Sequence, residues 1–251
     1  MTTLPPAFLE RPIAHRALHD RADLRPENSR AAVRAAMAAG YGVEIDLQLS
    51  ADGVPMVFHD SLLGRLTGAE GAVAACSAAE LGTLGLLGGA EGIPTLAEIL
   101  ALVDGRVPLL IEVKDQDGAL GPGVGALERA TAAALVGYDG PVALMSFNPT
   151  SVAALAEAAP ALPRGHVTCG FAPRAWPGVP PERLARLARI DDLAATGACF
   201  VSHDHTDLAR PRLAELKADG LPVLTWTIRS PEEEAAARRV ADNITFEGYL
   251  P

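Results

Sequence analysis

Short apolar runs alternate with helix-patterned stretches along nearly the whole of this chain, and that alternation restricts the fold more than any other feature. The runs are Ile13–Ala14, Val43–Leu49, Leu109–Val113, Val142–Met145, Gly165–Thr168, Cys199–Ser202, Val223–Trp226 and Asn243–Thr245. Short, nearly continuous apolar segments of this kind suit strands covered on both faces. The segments between them carry helix start and stop signals. One helix is expected to open at Asn28 and close at Gly40. Thr95 and Glu98 have capping-box spacing just before Ile99. Asn148-Pro149 and Ser230-Pro231 each set a cap residue before a first-turn proline. Glu232, Glu233 and Glu234 then lie where the helix dipole favours negative charge. Strands separated by helices call for a parallel sheet. Eight of them call for a closed (β/α)8 TIM barrel, with a doubly wound open sheet as the lesser alternative. No glycine-rich nucleotide loop follows the first run, which weakens that alternative.

One stretch breaks the rhythm. Ser50-Ala51-Asp52-Gly53 reads as a tight turn, and Val54–Phe58 as the return strand of a hairpin hung on the second strand. Residues 60–93, rich in glycine and alanine, read as a small insertion on the top face that shapes substrate access. The whole chain, residues 1–251, is otherwise expected to form a single barrel domain.

Composition narrows the function classes. A formal net charge of −10 leaves no basic excess to neutralise nucleic-acid phosphates, so no nucleic-acid partner is expected. A small phosphate ester needs only a local cation or two. The three cysteines, Cys76, Cys169 and Cys199, include no C-x-x-C pair, so neither a disulfide framework nor a zinc knuckle is indicated. The N-terminus lacks a signal-peptide pattern and no apolar run approaches a membrane span; a cytoplasmic location is expected. Oligomeric state leaves no trace in the sequence.

The chemistry-bearing residues sit at strand ends. Glu44 and Asp46 are two apart on the second strand and so share a face. Two buried carboxylates side by side need neutralising, and oxygen ligands favour a hard divalent cation, Mg²⁺ or Ca²⁺. A rim salt bridge would be the plainer explanation of either acid. The next strand carries Glu112 and Lys114, again on one face. Glu112 would add a third acid across adjacent strands, and Lys114 a positive charge for a phosphate oxygen or simple compensation for Glu112. His15-Arg16 ends the first strand and His59-Asp60 the hairpin strand. Histidine suits proton transfer near neutral pH, and arginine beside it matches phosphate. His19 reads as a solvated loop residue, His166 as a strand residue facing the barrel or a helix, and His203-Asp204-His205 as loop residues after the sixth strand. Phe147 and Trp226, at the ends of the fourth and seventh strands, are candidates to wall the pocket or to pack under a loop.

Taken in order, His15-Arg16, Pro26-Glu27-Asn28-Ser29, Glu44-Ile45-Asp46, Asp52-Gly53-Val54-Pro55-Met56-Val57-Phe58-His59-Asp60, Ile111-Glu112-Val113-Lys114, Ser146-Phe147 and Thr225-Trp226-Thr227 resemble the signature of the glycerophosphodiester phosphodiesterase family. The resemblance spans nearly the whole chain. It implies a (β/α)8 barrel that hydrolyses glycerophosphodiesters to glycerol 3-phosphate and an alcohol. It implies one divalent cation on Glu44, Asp46 and Glu112, catalytic histidines at His15 and His59, and phosphate contacts from Arg16 and Lys114. It gives Glu27 a supporting place beside the site. With the phosphate polarised by the cation, His15 is read as base and His59 as acid. The attacking group is either water or a substrate hydroxyl, the latter by way of a cyclic phosphate. Two departures stand out. Ala17 replaces the usual glycine after the histidine–arginine pair, where a side chain is expected to crowd the substrate or shift the loop. The chain end, Thr245-Phe246-Glu247-Gly248, lacks the usual aspartate after the threonine. Competing readings are a related phosphodiesterase of lysophospholipids, sphingomyelin-type or sugar-phosphate diesters, and a non-catalytic binding barrel. The second would predict loss of one of the five acids and histidines, all of which are present.

Overall fold

Apolar residues that alternate with buried ones of opposite direction can be satisfied only by a strand covered on both sides, and a closed barrel provides both coverings. The computed structural model describes residues 2–251. Its strands are β1 (Ile13–Ala14), β2 (Gly42–Leu49), β3 (Pro55–Val57), β4 (Leu109–Val113), β5 (Val142–Ser146), β6 (Arg164–Thr168), β7 (Phe200–Asp204), β8 (Val223–Ile228) and β9 (Asn243–Phe246). All but β3 pair in parallel, in the order β1-β9-β8-β7-β6-β5-β4-β2, and β1 pairs back onto β2 to close the ring. This is a (β/α)8 barrel.

Alternation along the strands sorts the core into an inside and an outside. Ile13, Leu110, Ala143, Met145, Val167, Phe200 and Leu224 fill the barrel together with Leu4 and Phe8. Ala14, Val43, Ile45, Leu109, Ile111, Leu144, Val201 and Ile244 face outward, against Val33, Ile99, Leu127, Leu155 and Leu213 of the surrounding helices. Gly165 is required where it stands, because a Cβ there would meet the Phe200 ring at 2.5 Å. The short helix Ala7–Glu10 carries Phe8, fully buried, beneath the barrel. Asn243 of β9 holds that segment by donating to the carbonyls of Phe8 (2.7 Å) and Arg11 (2.6 Å).

β2 is longer than its neighbours. β1 borders it at Gly42 and Val43, and antiparallel β3 takes over the same edge at Leu47–Leu49. Between β3 and β4 lie the short helices Gly64–Thr67 and Ala78–Thr83, around a separate cluster of Phe58, Leu63, Leu66, Leu81 and Ile93. Three local expectations are corrected. The first long helix, Arg30–Ala39, is capped by Ser29, whose side chain accepts from the Ala32 amide, and not by Asn28. β8 continues past Trp226 to Ile228. His203 lies within β7 and is fully buried, not in a loop. No helix among the described residues is long and apolar enough to cross a membrane.

Candidate active site

The parallel register decides which side chains meet at the carboxyl end of the strands. Asp46 of β2 and Glu112 of β4 are direct register partners, and Glu44 lies one pleat below Asp46. Carboxylate oxygens of Glu44, Asp46 and Glu112 all lie within 4.8 Å of one another, and all three residues are buried. Lys114 Nζ reaches Asp46 Oδ1 at 2.8 Å and Glu112 Oε1 at 2.7 Å. The Arg16 backbone amide donates to Glu44 Oε2 at 2.8 Å, and its guanidinium Nε lies 3.6 Å from Asp46 Oδ2. Glu44 Oε1 is buried with no hydrogen-bond partner among the described residues.

These neighbours set the protonation of the cluster. Burial, reinforced by the charges of Asp46 and Glu112, raises the Glu44 carboxyl well above the usual range. Burial also raises Glu112, against the pull of Lys114. For Asp46 burial is outweighed by Lys114, His59 and Arg16, so its carboxyl is held far below the usual range. The Lys114 ammonium stays charged, because Asp46 and Glu112 outweigh its own burial.

Each imidazole is held through Nδ1. His15 Nδ1 lies 2.7 Å from Glu247 Oε2, and His59 Nδ1 lies 2.6 Å from Asp60 Oδ1. Burial lowers the pKa of both rings; for His59 the Lys114 charge adds to it. Asp60 is gripped in turn by Arg65, at 2.6 and 2.8 Å. Arg65 also donates twice to Glu27 at 2.8 Å, and Glu27 accepts from Arg16 at 2.8 Å. Arg16 and His59, distant in sequence, are thereby joined by one chain of charge-assisted bonds.

The residues open onto a cavity of about 170 Å³. His15, Arg16, Glu44, His59, Glu112 and Lys114 form its polar lining; Met145 and Phe147 from β5 and its end, Val167 of β6 and Trp226 of β8 form the apolar part. Phe147 stacks edge-on to Trp226 at 5.6 Å between centroids and also contacts Trp176 of the loop after β6, at 5.1 Å. It therefore both walls the cavity and packs under a loop. A larger open groove beside Arg11, Arg106 and Pro141 lies at the opposite, amino-terminal end of the strands and holds no comparable cluster.

Residues 15–243 match the sequence model of the Glycerophosphoryl diester phosphodiesterase family. The chain belongs to this family. A glycerophosphodiester phosphodiesterase of Caldanaerobacter subterraneus is 35% identical over 220 residues, covering 83% of this chain and 82% of that protein. The fold is likewise similar to a phosphodiesterase of Oleispira antarctica, solved in complex with its product sn-glycerol-3-phosphate (25% identity, TM-score 0.77, covering 96% and 94% of the two chains). It is also similar to a glycerophosphodiester phosphodiesterase of Thermotoga maritima (20% identity, TM-score 0.70, covering 93% and 92%).

Within this phosphodiesterase family frame, the two departures acquire a structural meaning. Ala17 occupies the left-handed region, with φ of 63°, which favours the glycine usually found there. Its methyl group is buried in the outer core and not in the cavity, so it does not crowd the site. The carboxylate at the end of the last strand is not lost: Glu247, just after β9, reaches His15. Nothing in the sequence marks Glu247, because the family's usual acid directly follows the threonine that Thr245 matches. Nor does the sequence mark the part played by Asn28. That residue donates to Asp46 Oδ2 at 2.9 Å and accepts from the Asp46 amide at 3.2 Å. Asp60 at least stands in the His59-Asp60 motif, whereas no local pattern marks Arg65. The remaining histidines lie elsewhere. His166 bonds to Thr196 and His203 to Thr168. His205 opens a single 3-10 turn. His19 is only partly exposed, with Nε2 3.5 Å from Glu247.

Proposed function

We propose that this family member hydrolyses glycerophosphodiesters to glycerol 3-phosphate and an alcohol, with one divalent cation, Mg²⁺ or Ca²⁺, held by Glu44, Asp46 and Glu112. The observation that carries the reading is the convergence of three buried carboxylates and two histidines on one small cavity. The donor set fits a hard cation: it is all oxygen, and Glu44 Oε1 is an orphaned buried atom that such an ion would satisfy. A bound cation would supply Lewis-acid polarisation of a phosphate oxygen.

The protein's own groups account for the rest. Arg16 and Lys114 stand on the polar wall, where they offset charge building at phosphorus. Arg16 through Asp46, and Lys114 through Asp46 and Glu112, are held in place before substrate arrives. With Nδ1 occupied by a carboxylate, each histidine has Nε2 left for proton transfer. His15, with 15% of its side chain exposed against 31% for His59, suits the base; the more open His59 suits protonation of the departing alkoxide. Glu27, through Arg16 and Arg65, keeps the two halves of the site in register. Phe147 and Trp226 give the alcohol or glycerol moiety an apolar wall. A cavity of about 170 Å³ suits a small diester better than a lysophospholipid.

The test is phosphorus NMR on glycerophosphodiesters, lysophospholipids and cyclic phosphates, with Mg²⁺, with Ca²⁺ and with chelator. Glycerol 3-phosphate should appear only with cation. Glu44→Ala and Asp46→Ala should abolish turnover, and His15→Ala or His59→Ala should lower it by roughly 10²–10⁴-fold. Full turnover by either acid variant in excess chelator would rule out the metal site.

A further inference from the structure

We infer that Glu247, clamped by Arg229, is the positioning residue of His15, so that a carboxylate just after β9 and a guanidinium from the loop after β8 hold this histidine for proton transfer. The inference rests on the acid–base reading of His15 given above. Its observations are separate from that reading.

The contacts form a line of three charged or chargeable groups. Glu247 Oε2 meets His15 Nδ1 at 2.7 Å, and the other carboxylate oxygen, Oε1, takes Arg229 Nε at 2.8 Å and NH2 at 2.6 Å. Arg229 is anchored independently. Its NH1 donates to the Thr227 carbonyl at 3.2 Å and its backbone amide to Glu233 Oε2 at 2.7 Å. One carboxylate oxygen thus meets the His15 imidazole closely, with His19 farther off, and the other takes the guanidinium. Glu247 is held low in pKa by its bonds to His15 and then His19, with a smaller contribution from the Arg229 charge, so it stays an acceptor. An ionised carboxylate accepts only, so His15 must carry its proton on Nδ1 and present the Nε2 lone pair.

Arg229 also lines the catalytic cavity, which makes a direct phosphate contact the rival role for it. The bonding geometry favours the clamp, since Nε and NH2 are both turned to Glu247 and NH1 to a carbonyl. His59 has the same construction from other elements, with Asp60 on Nδ1 and Arg65 behind it. Two histidines served by unrelated segments in one pattern argue that the pattern has a task beyond local packing. His19 Nε2, at 3.5 Å from the same Glu247 oxygen, is a weaker neighbour on the outer side.

The experiment combines steady-state kinetics of the full chain on a glycerophosphodiester with ¹⁵N NMR of histidine-labelled protein. Glu247→Gln should lower kcat by roughly 10–10⁴-fold with KM little changed, the upper figure being the cost of losing a histidine-orienting carboxylate in a serine-protease triad. Glu247→Asp should recover part of that loss, and Arg229→Ala should show a smaller kcat effect at constant KM. The His15 ring nitrogens should report an Nδ1-protonated tautomer in the wild type and a mixed or reversed one in Glu247→Gln. A rise in KM with constant kcat in Arg229→Ala would assign that residue to phosphate binding and overturn the clamp. Wild-type kcat in Glu247→Gln, alongside an inactive His15→Ala, overturns the inference while the acid–base reading stands. Full turnover in His15→Ala would defeat both. An unchanged His15 tautomer in a folded Glu247→Gln overturns it whatever the kinetics.

Discussion

Each charged side chain at the site is tied to a particular neighbour. Asp46 shows how: Lys114, Arg16 and Asn28 all address its two oxygens or its amide. Asn28 is the neutral member of that set, held at a positive φ of 59° with both ends of its amide used. An asparagine tolerates that backbone region better than most residues. Removing it should loosen Asp46 without changing any charge. Asn28→Ala is therefore expected to weaken Mg²⁺ or Ca²⁺ binding by roughly 10–100-fold, the usual effect of losing a group that orients a ligand. Titration calorimetry on the folded variant checks it, and unchanged affinity would remove Asn28 from the account. Glu44 and Asp46 were legible as a shared-face pair because strand periodicity alone puts them there. Asn28 was not, because its neighbour Ser29 took the capping role that local rules assign to either residue.

Strands and helices set the second scale. β6 turns His166 outward from the barrel, against the helical segment Leu193–Thr196, where its Nε2 lies 2.8 Å from Thr196 Oγ1. With the single Thr196 hydroxyl proton turned to the Asp192 carbonyl at 3.0 Å, the imidazole is the donor, with its proton on Nε2. Burial pushes the pKa of His166 down to about 4. The sign follows directly: between pH 6.5 and 4 the unfolded chain binds the proton and the folded chain does not. Stability from this residue is full above pH 6.5 and is lost as pH falls toward 4, by about 3 kcal/mol in total. Urea titrations of wild type and His166→Gln across that range should differ in slope, the variant being flatter. Parallel slopes would contradict a buried neutral ring. The strand was readable from its apolar run. That the histidine faced Thr196 was not, because the partner lies thirty positions along the chain and on another element.

At the scale of the molecule, closure decides both stability and function. The ring joins β1 to both β2 and β9, so the first and last strands meet and His15 comes beside Glu247, 232 positions away. Phe8 seals the opposite end beneath Ile13, Leu110 and Phe200. Phe8→Ala should cost about 3–5 kcal/mol of unfolding free energy, the range for truncating a buried phenylalanine. Denaturant unfolding measures it. A loss under 1 kcal/mol would mean that Leu4 and its neighbours fill the gap. Kinetics at low temperature should be nearly unaffected, since the site is at the far end of the barrel. The groups between β3 and β4 pack around their own small cluster, and through Asp60 and Arg65 they reach the site from outside the ring.

The order of apolar runs, caps and turns was enough to set out a repeat of strand and helix that favours a barrel over an open sheet, because those signals are local and each is written within a few residues; closure itself, β1 onto β2, is a tertiary pairing. The face shared by Glu44 and Asp46, and the likeness of the motifs to the phosphodiesterase family, were local in the same sense. Only the tertiary structure decided that Lys114 stands between Asp46 and Glu112, that Arg65 couples Asp60 to Glu27, and that Glu247 holds His15. Those partners are chosen by strand register and ring closure, which bring together side chains from opposite ends of the chain. No periodicity along the sequence encodes such a distance.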